Sequence, residues 1–224
     1  MSAIELVFDL PGGAHALFTA RAYGNLSSVG GDRAEHGLAA REDLRKRLGV
    51  RRLARGYQVH GVTVQRVGDG SDASDDVEAD GQATALHDVG AMVLTADCLP
   101  VALGANGAVA MVHAGWRGLA SGVLEEGVRA LAELNGDGKV SAIIGPGAGP
   151  CCYEVGEEVH MEFEGRRRHG RKIDLKAIAR DRLSAAGVDE VQDVAVCTIC
   201  DERFFSFRRE GARAGRQAGI AWLG

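Results

Sequence analysis

Apolar and polar positions alternate along the chain in a way that predicts short strands interleaved with a few helices. Ile4–Phe8 and Ala16–Thr19 read as an opening pair of strands, followed by a Gly/Ser-rich loop over Gly24–Gly31. Arg33–Leu48 is highly charged, carries Leu38, Leu44 and Leu48 as its apolar positions and stops at Gly49, which predicts an amphipathic helix. Gly56–Val67 is β-rich, but its alternation is imperfect and leaves open which face His60 takes. Asp69–Asp80 is the most polar stretch, with Ser71, Ser74 and five aspartates, and is expected to be an exposed loop.

The middle of the chain is more apolar. Ala91–Thr95, Leu99–Leu103 and Ala108–His113 read as strands covered on both faces, with Gly104-Ala105-Asn106-Gly107 as a hairpin turn. After Gly118, the positions Leu119, Val123, Val128, Leu131 and Leu134 recur at helical spacing, predicting one helix that ends at Gly136. Val140–Ile144 is a further strand, Glu154–Phe163 and Asp174–Ala186 are helices, and Val191–Cys197 and Gly219–Leu223 are late strands. Strands and helices mix without regular βαβ spacing. The expected fold class is therefore α+β, a layered α/β sandwich with mixed sheets rather than a doubly wound sheet, in a single domain over residues 1–224.

Composition narrows the classes. A chain of 224 residues with 46% hydrophobic and 25% charged residues can bury a sizeable core without disulfides. The 32 glycines show no repeat and predict many tight turns. A net charge of −5 lacks the basic excess of a nucleic-acid binder, and the run Arg166–Lys172 reads as a solvated loop. The segment Cys98–Trp116 has no charged residue when His113 is neutral, yet Pro100, Asn106 and three glycines argue against a membrane span. Ile4–Asp9 is too short and acidic for a secretory signal, and five cysteines, an odd number, fit reduced thiols. The expectation is a cytoplasmic protein, a monomer or weak homo-oligomer, that engages neither nucleic acid nor membrane.

Candidate chemistry gathers at Thr95-Ala96-Asp97-Cys98-Leu99-Pro100 and Val112-His113-Ala114-Gly115-Trp116-Arg117-Gly118, which place Cys98 and His113 at the ends of neighbouring strands. With His60, they can hold a zinc ion with one position open, or they can make an activated thiolate. The small residues around Gly115 let backbone N–H groups approach a ligand, and the start of a helix beside Arg117 suits an anion such as phosphate. Asp97 can orient a metal ligand or shuttle a proton. Among Arg208, Arg209, Arg213 and Arg216, one or two can face an anionic substrate. Cys197-x-x-Cys200 is half of a four-cysteine zinc pattern, but the remaining pair, Cys151-Cys152, is adjacent, and adjacent cysteines make poor chelators. These four are expected to pack near the site without a metal of their own.

Taken in order, these motifs resemble those of the YfiH/YlmD family, called the polyphenol oxidase laccase domain family in older naming. The matching stretches include Phe18-Thr19-Ala20-Arg21, Gln58-Val59-His60-Gly61, Glu78-Ala79-Asp80-Gly81, the two segments around Cys98 and His113, Cys151-Cys152-Tyr153-Glu154-Val155-Gly156, Phe205-Ser206-Phe207-Arg208-Arg209 and Gly215-Arg216-Gln217-Ala218-Gly219. The resemblance implies a sandwich like that of a bacterial cysteine-dependent toxin deamidase, and zinc (copper as the alternative ion) held by His60, Cys98 and His113. It implies phosphorolysis of adenosine, inosine and methylthioadenosine, with adenosine deaminase activity alongside, so that purine nucleosides and phosphate are the expected partners. The family commonly has Asn-Arg in the first helix; this chain has Ala40-Arg41, and Arg41 is carried over as a substrate-binding residue together with Arg117 and Gly115.

Two other enzyme classes stand beside this one. Cys98 and His113 can form a nucleophile–base pair that hydrolyses amide bonds, and relatives have been linked to editing of cell-wall precursor peptides. The older family label points to copper-dependent phenol oxidation, ranked last because the seven histidines include no His-x-His pair. A nucleoside-binding module without turnover is the non-enzymatic reading.

Overall fold

The computed structural model describes residues 6–70, 76–135 and 138–224. In chain order the strands begin with β1 (Leu6–Leu10), β2 (Ala14–Phe18), β3 (Arg52–Ala54), β4 (Val64–Val67), β5 (Gly81–Thr84), β6 (Val89–Thr95), β7 (Leu99–Ala105) and β8 (Ala108–Ala114). They continue with β9 (Ser141–Ile144), β10 (Arg168–His169), β11 (Lys172–Ile173), β12 (Glu190–Asp193) and β13 (Gln217–Leu223). The helices are α1 (Gly37–Leu48), α2 (Trp116–Ser121), α3 (Val123–Asn135), α4 (Glu157–Glu162), α5 (Leu175–Ala185) and α6 (Phe207–Glu210), with short 3-10 turns between some of them.

Two sheets pack face to face. One runs β1-β2-β13-β6-β3 and the other β12-β9-β7-β8-β5-β4, each mixing parallel and antiparallel pairs. The period-2 alternation of the strands sorts the apolar residues into layers. Phe18, Ala91, Val93, Ala102, Val109, Met111 and Ala221 fill the space between the sheets. The alternate residues of the first sheet, Leu17, Met92, Leu94 and Ile220, pack with Leu44 of α1 and with Leu26. Those of the second sheet, Val101, Leu103, Ala110 and Val112, pack with Leu124 and Leu131 of α3 and Ile178 and Leu183 of α5. The molecule is thus an α+β sandwich of mixed sheets with helices on both outer faces.

Several elements differ from the expectation. The helix after Gly118 is two helices, because Gly122 at φ 97° is left-handed and ends α2 before α3 begins. The predicted stop at Gly136 and the start of the first strand at Ile4 lie outside the described residues. Leu38 is exposed, so α1 buries Leu44 but not its first leucine. Val191–Cys197 is strand only to Asp193. His60 is not on a strand: it sits in the loop between β3 and β4 with φ 61°. The basic run forms the exposed β10–β11 ribbon, where Arg167 pairs with Asp181 and Arg168 with Glu157.

Two connections position the site. The segment between β3 and β4, which contains His60, passes from the first sheet to the second, and so does the three-residue link Ala96-Asp97-Cys98 between β6 and β7. Both links open at the end of β8 where His113 lies. Among the described residues no helix is long and apolar enough to cross a membrane.

Candidate metal centre and active site

Asp80 is the residue from which this site is built. It was expected in an exposed polar loop, but it is fully buried immediately before β5, while Ser71 and Ser74 of that loop lie outside the described residues. Gly81 pairs with Val112 in the antiparallel ladder, so Asp80 and His113 stand opposite each other one step on. The Asp80 carbonyl accepts from the His113 N–H at 2.6 Å, and its carboxylate accepts from His113 Nδ1 at 2.7 Å. The same carboxylate accepts from the backbone N–H groups of Val59 at 3.2 Å, His60 at 2.9 Å and Gly61 at 2.7 Å. Those three bonds hold the left-handed backbone at His60, a conformation that is strained for a residue with a Cβ.

With Nδ1 committed to Asp80, His113 presents Nε2 to Cys98. Cys98 Sγ lies 3.7 Å from His60 Nε2, and the His60 and His113 rings meet edge to face at 4.9 Å. The three candidate ligand atoms all lie within 4.8 Å of one another. Gly115 closes the back of the group: a Cβ there would stand 2.7 Å from His60 Cδ2 and 3.1 Å from Cys98 Sγ. Any side chain at 115 would displace the donors, so glycine is required by close approach.

Charge follows from this packing. Burial opposes ionisation of Asp80, but His113 and the N–H groups of Gly61 and Val59 outweigh it, and the carboxyl lies below its ordinary range. Burial would raise the Cys98 thiol; the His113 cation and the hydrogen bonds from His113 and His60 hold it down to about 6. Burial would lower His113, yet Cys98 and Asp80 push it up to about 9. One sulfur, two imidazoles and an open side form a donor set that fits a zinc ion with three protein ligands, with the Asp80 carboxylate behind His113 placed to orient it as such a ligand.

The remaining predicted residues fall in different places. Asp97, at φ 93°, turns its carboxylate away from the two histidines to accept from Thr198 Oγ1 at 2.7 Å, Ser206 Oγ at 3.1 Å and the Arg208 N–H at 2.7 Å. Its carbonyl accepts from the Ala148 N–H at 2.7 Å. Asp97 thus anchors the backbone that presents Cys98. Arg117 is exposed on α2, its guanidinium 4.3 Å from the centre of the Trp116 ring. Arg41 is buried on α1 and donates to Ser28 Oγ at 3.0 Å, fixing the Gly24–Gly31 loop. The C-terminal arginines contribute more directly: Arg216 is within electrostatic reach of Cys98 and Asp97, and Arg208 lies over the Tyr153 ring at 4.7 Å. Burial lowers Arg216 from its ordinary value, while Cys98 and Asp97 act to raise it.

The other four cysteines lie closer together than the adjacent pair Cys151-Cys152 suggested. Cys151, Cys152, Cys197 and Cys200 converge, with their sulfurs all within 4.8 Å of one another. A cavity of about 260 Å³ opens beside them rather than over Cys98, lined by Pro150, Cys151, Lys176, Arg180 and Asp193. Its charges already pair, Lys176 and Arg180 with Asp193 at 2.8 and 3.5 Å.

Comparison with known proteins agrees with this architecture. Residues 12–224 match the family described as multi-copper polyphenol oxidoreductase laccase. A Xylella fastidiosa protein named purine nucleoside phosphorylase is 39% identical over 242 aligned residues, spanning 99% of this chain and 92% of its own. A crystal structure from Neisseria meningitidis superposes with a TM-score of 0.84 at 32% identity, covering 98% of each chain. The crystal structure of YlmD from Geobacillus stearothermophilus gives 0.83 at 29% identity, covering 94% of this chain and 92% of that one. The chain belongs to the laccase-like family of YfiH and YlmD.

Proposed function

We propose that the chain is a purine nucleoside phosphorylase that acts on adenosine, inosine and methylthioadenosine, with adenosine deaminase activity, at a zinc centre held by His60, Cys98 and His113. The observation that carries the metal centre is the convergence of these three side chains under Asp80. The substrate class rests on the Xylella relative, named a purine nucleoside phosphorylase. A zinc ion in this donor set would supply a Lewis acid for the reacting group of the nucleoside.

The protein residues have separable tasks. Asp80 holds His113 with Nδ1 protonated and fixes the His60 loop, so both imidazoles face the sulfur before substrate arrives. Asp97 holds Cys98 in place through its bonds to Thr198, Ser206 and the Arg208 backbone. Arg216, Arg208 and Arg117 supply positive charge for phosphate, and Gly115 allows close approach to the donors. The exposed apolar side chains of Val59, Val62 and Phe207 flank His60 and the Asp97 anchor and offer a surface for the flat base.

Product analysis tests this reading. Inosine with phosphate should give hypoxanthine and ribose 1-phosphate, and adenosine should give adenine and inosine. Hypoxanthine formed equally well without phosphate would overturn phosphorolysis. The low pKa of Cys98 supports a second reading, in which Cys98 and His113 hydrolyse amides through a covalent thioester. An acyl adduct on Cys98 would favour hydrolysis, whereas protection of Cys98 from alkylation by added zinc would favour the metal centre.

A further inference from the structure

The structure assigns a second metal site to this chain: a structural zinc ion held by Cys151, Cys152, Cys197 and Cys200. Two backbone turns bring the four cysteines together. After Gly149-Pro150 the chain turns tightly, the N–H groups of Cys152 and Tyr153 both donating to the Gly149 carbonyl at 3.1 and 3.0 Å. This turn lets two adjacent cysteines face one point, which their spacing in sequence does not suggest. A second turn, closed by the Asp201 N–H on the Cys197 carbonyl at 3.0 Å, brings Cys197 and Cys200 to the same point. The two turns are joined by the parallel bridge between Gly147 and Cys197 and by the Thr198 N–H on the Gly147 carbonyl at 3.1 Å.

The resulting donor set has the composition of a closed zinc site, and its sulfurs surround one point. Zinc–sulfur bonds of about 2.3 Å in a tetrahedron set the sulfurs about 3.8 Å apart. Here Cys200 Sγ is 3.3 Å from Cys151 Sγ and 2.7 Å from Cys152 Sγ, and all four lie within 4.8 Å of one another. Four thiolates select zinc over hard cations such as magnesium or calcium. Core packing does not account for the cluster, because Cys151 and Cys200 are exposed. A complex of four thiolates with Zn²⁺ carries a charge of about −2, and polar groups surround it accordingly. The Gly149 N–H donates to Cys197 Sγ at 3.2 Å. Lys172 Nζ binds the Cys151 carbonyl at 2.5 Å, and Arg209 binds the carbonyls of Thr198 and Ile199 at 2.7 and 3.0 Å.

This site would clasp the two segments that set the geometry at Cys98. Ala148 binds the Asp97 carbonyl and Thr198 binds its carboxylate, and each lies within a few residues of a cysteine of the cluster. Zinc at the four cysteines therefore has a positioning role, separate from the centre at His60, Cys98 and His113.

Metal analysis with zinc K-edge absorption on the full chain, purified in reductant, decides the matter. The wild type should hold two zinc ions per chain. A variant combining His60→Ala, Cys98→Ser and His113→Ala should keep one, with four sulfur neighbours at about 2.3 Å. The variant Cys151→Ser/Cys200→Ser should lose that ion and keep one with mixed nitrogen and sulfur neighbours. If it fails to fold, the first variant decides alone. A first variant that folds without zinc, or a zinc-free wild type whose mass is lower by the hydrogens of a disulfide between these cysteines, overturns the proposal. A wild type with a single all-sulfur zinc supports it and instead refutes the centre at Cys98.

Discussion

The Asp80 carboxylate accepts from Val59, His60, Gly61 and His113, so replacing it with asparagine alters the support of two ligands at once. Asp80→Asn should weaken zinc binding at this centre by about 10–100-fold, read by competition with a chromogenic chelator. In the metal-free wild type, alkylation of Cys98 mapped by mass spectrometry should rise with a midpoint near pH 6, the value set by His113 and His60 against burial. The sign for the variant follows from charge. Asp80 helps raise His113 to about 9, so its loss leaves less imidazolium at neutral pH and moves the Cys98 midpoint upward. A midpoint unchanged by the substitution would show that Asp80 does not govern the pair. Cys98 and His113 were legible as candidates because they end neighbouring strands beside small residues, whereas His60, in a stretch of imperfect alternation, gained weight only through convergence with them. Asp80 was not legible, because it ends a polar stretch and reads as solvated. The signal available was its place before the apolar run Gly81–Thr84, which turns out to be buried throughout.

Elements were legible where periodicity was strong and misread where one residue redirected the backbone. The β7–β8 hairpin, α1, α5 and β13 fall close to their expected ranges. The helix after Gly118 breaks because a single left-handed glycine outweighs a continuous apolar stripe. The convergence of the cysteine pairs was not legible for a related reason: spacing along the chain says little about residues that a bridge such as Gly147–Cys197 brings together. Leu131→Ala on α3 should cost about 2–5 kcal/mol in chemical denaturation, since Leu131 is almost completely buried against the second sheet. Thr198→Val removes a 2.7 Å bond from the buried Asp97 carboxylate and should cost about 1–3 kcal/mol. Because that bond helps hold the backbone that presents Cys98, the variant should also bind zinc more weakly at the centre of His60, Cys98 and His113.

At the scale of the whole molecule, the fold class was legible from the irregular mixture of strands and helices, but the assignment of strands to sheets was not. β6 and β7 read as strands of one compact β region, yet they lie in different sheets, and the three residues between them carry the chain across. Nothing in the apolar pattern of either strand marks that crossing. Chelation should therefore act on the global fold: removing zinc should lower the melting temperature, and zinc at about 100 times its dissociation constant should restore about 2.7 kcal/mol. Calorimetry with and without chelator reads this directly, and equal melting temperatures would argue against a folded-state metal site.

Two of the three donors sit on strands' crossings between the sheets, His60 on one and Cys98 on the other, while His113 belongs to the second sheet. An ion held by all three would resist sliding of one sheet over the other, and packing that loosens the sheets would weaken its binding by the same free energy. The interior between the sheets would then act as a remote tuner of the proposed centre. Met111→Ala, which hollows that interior without touching a donor, should loosen zinc as well as the fold, so that core packing would change metal occupancy while every ligand stays the same.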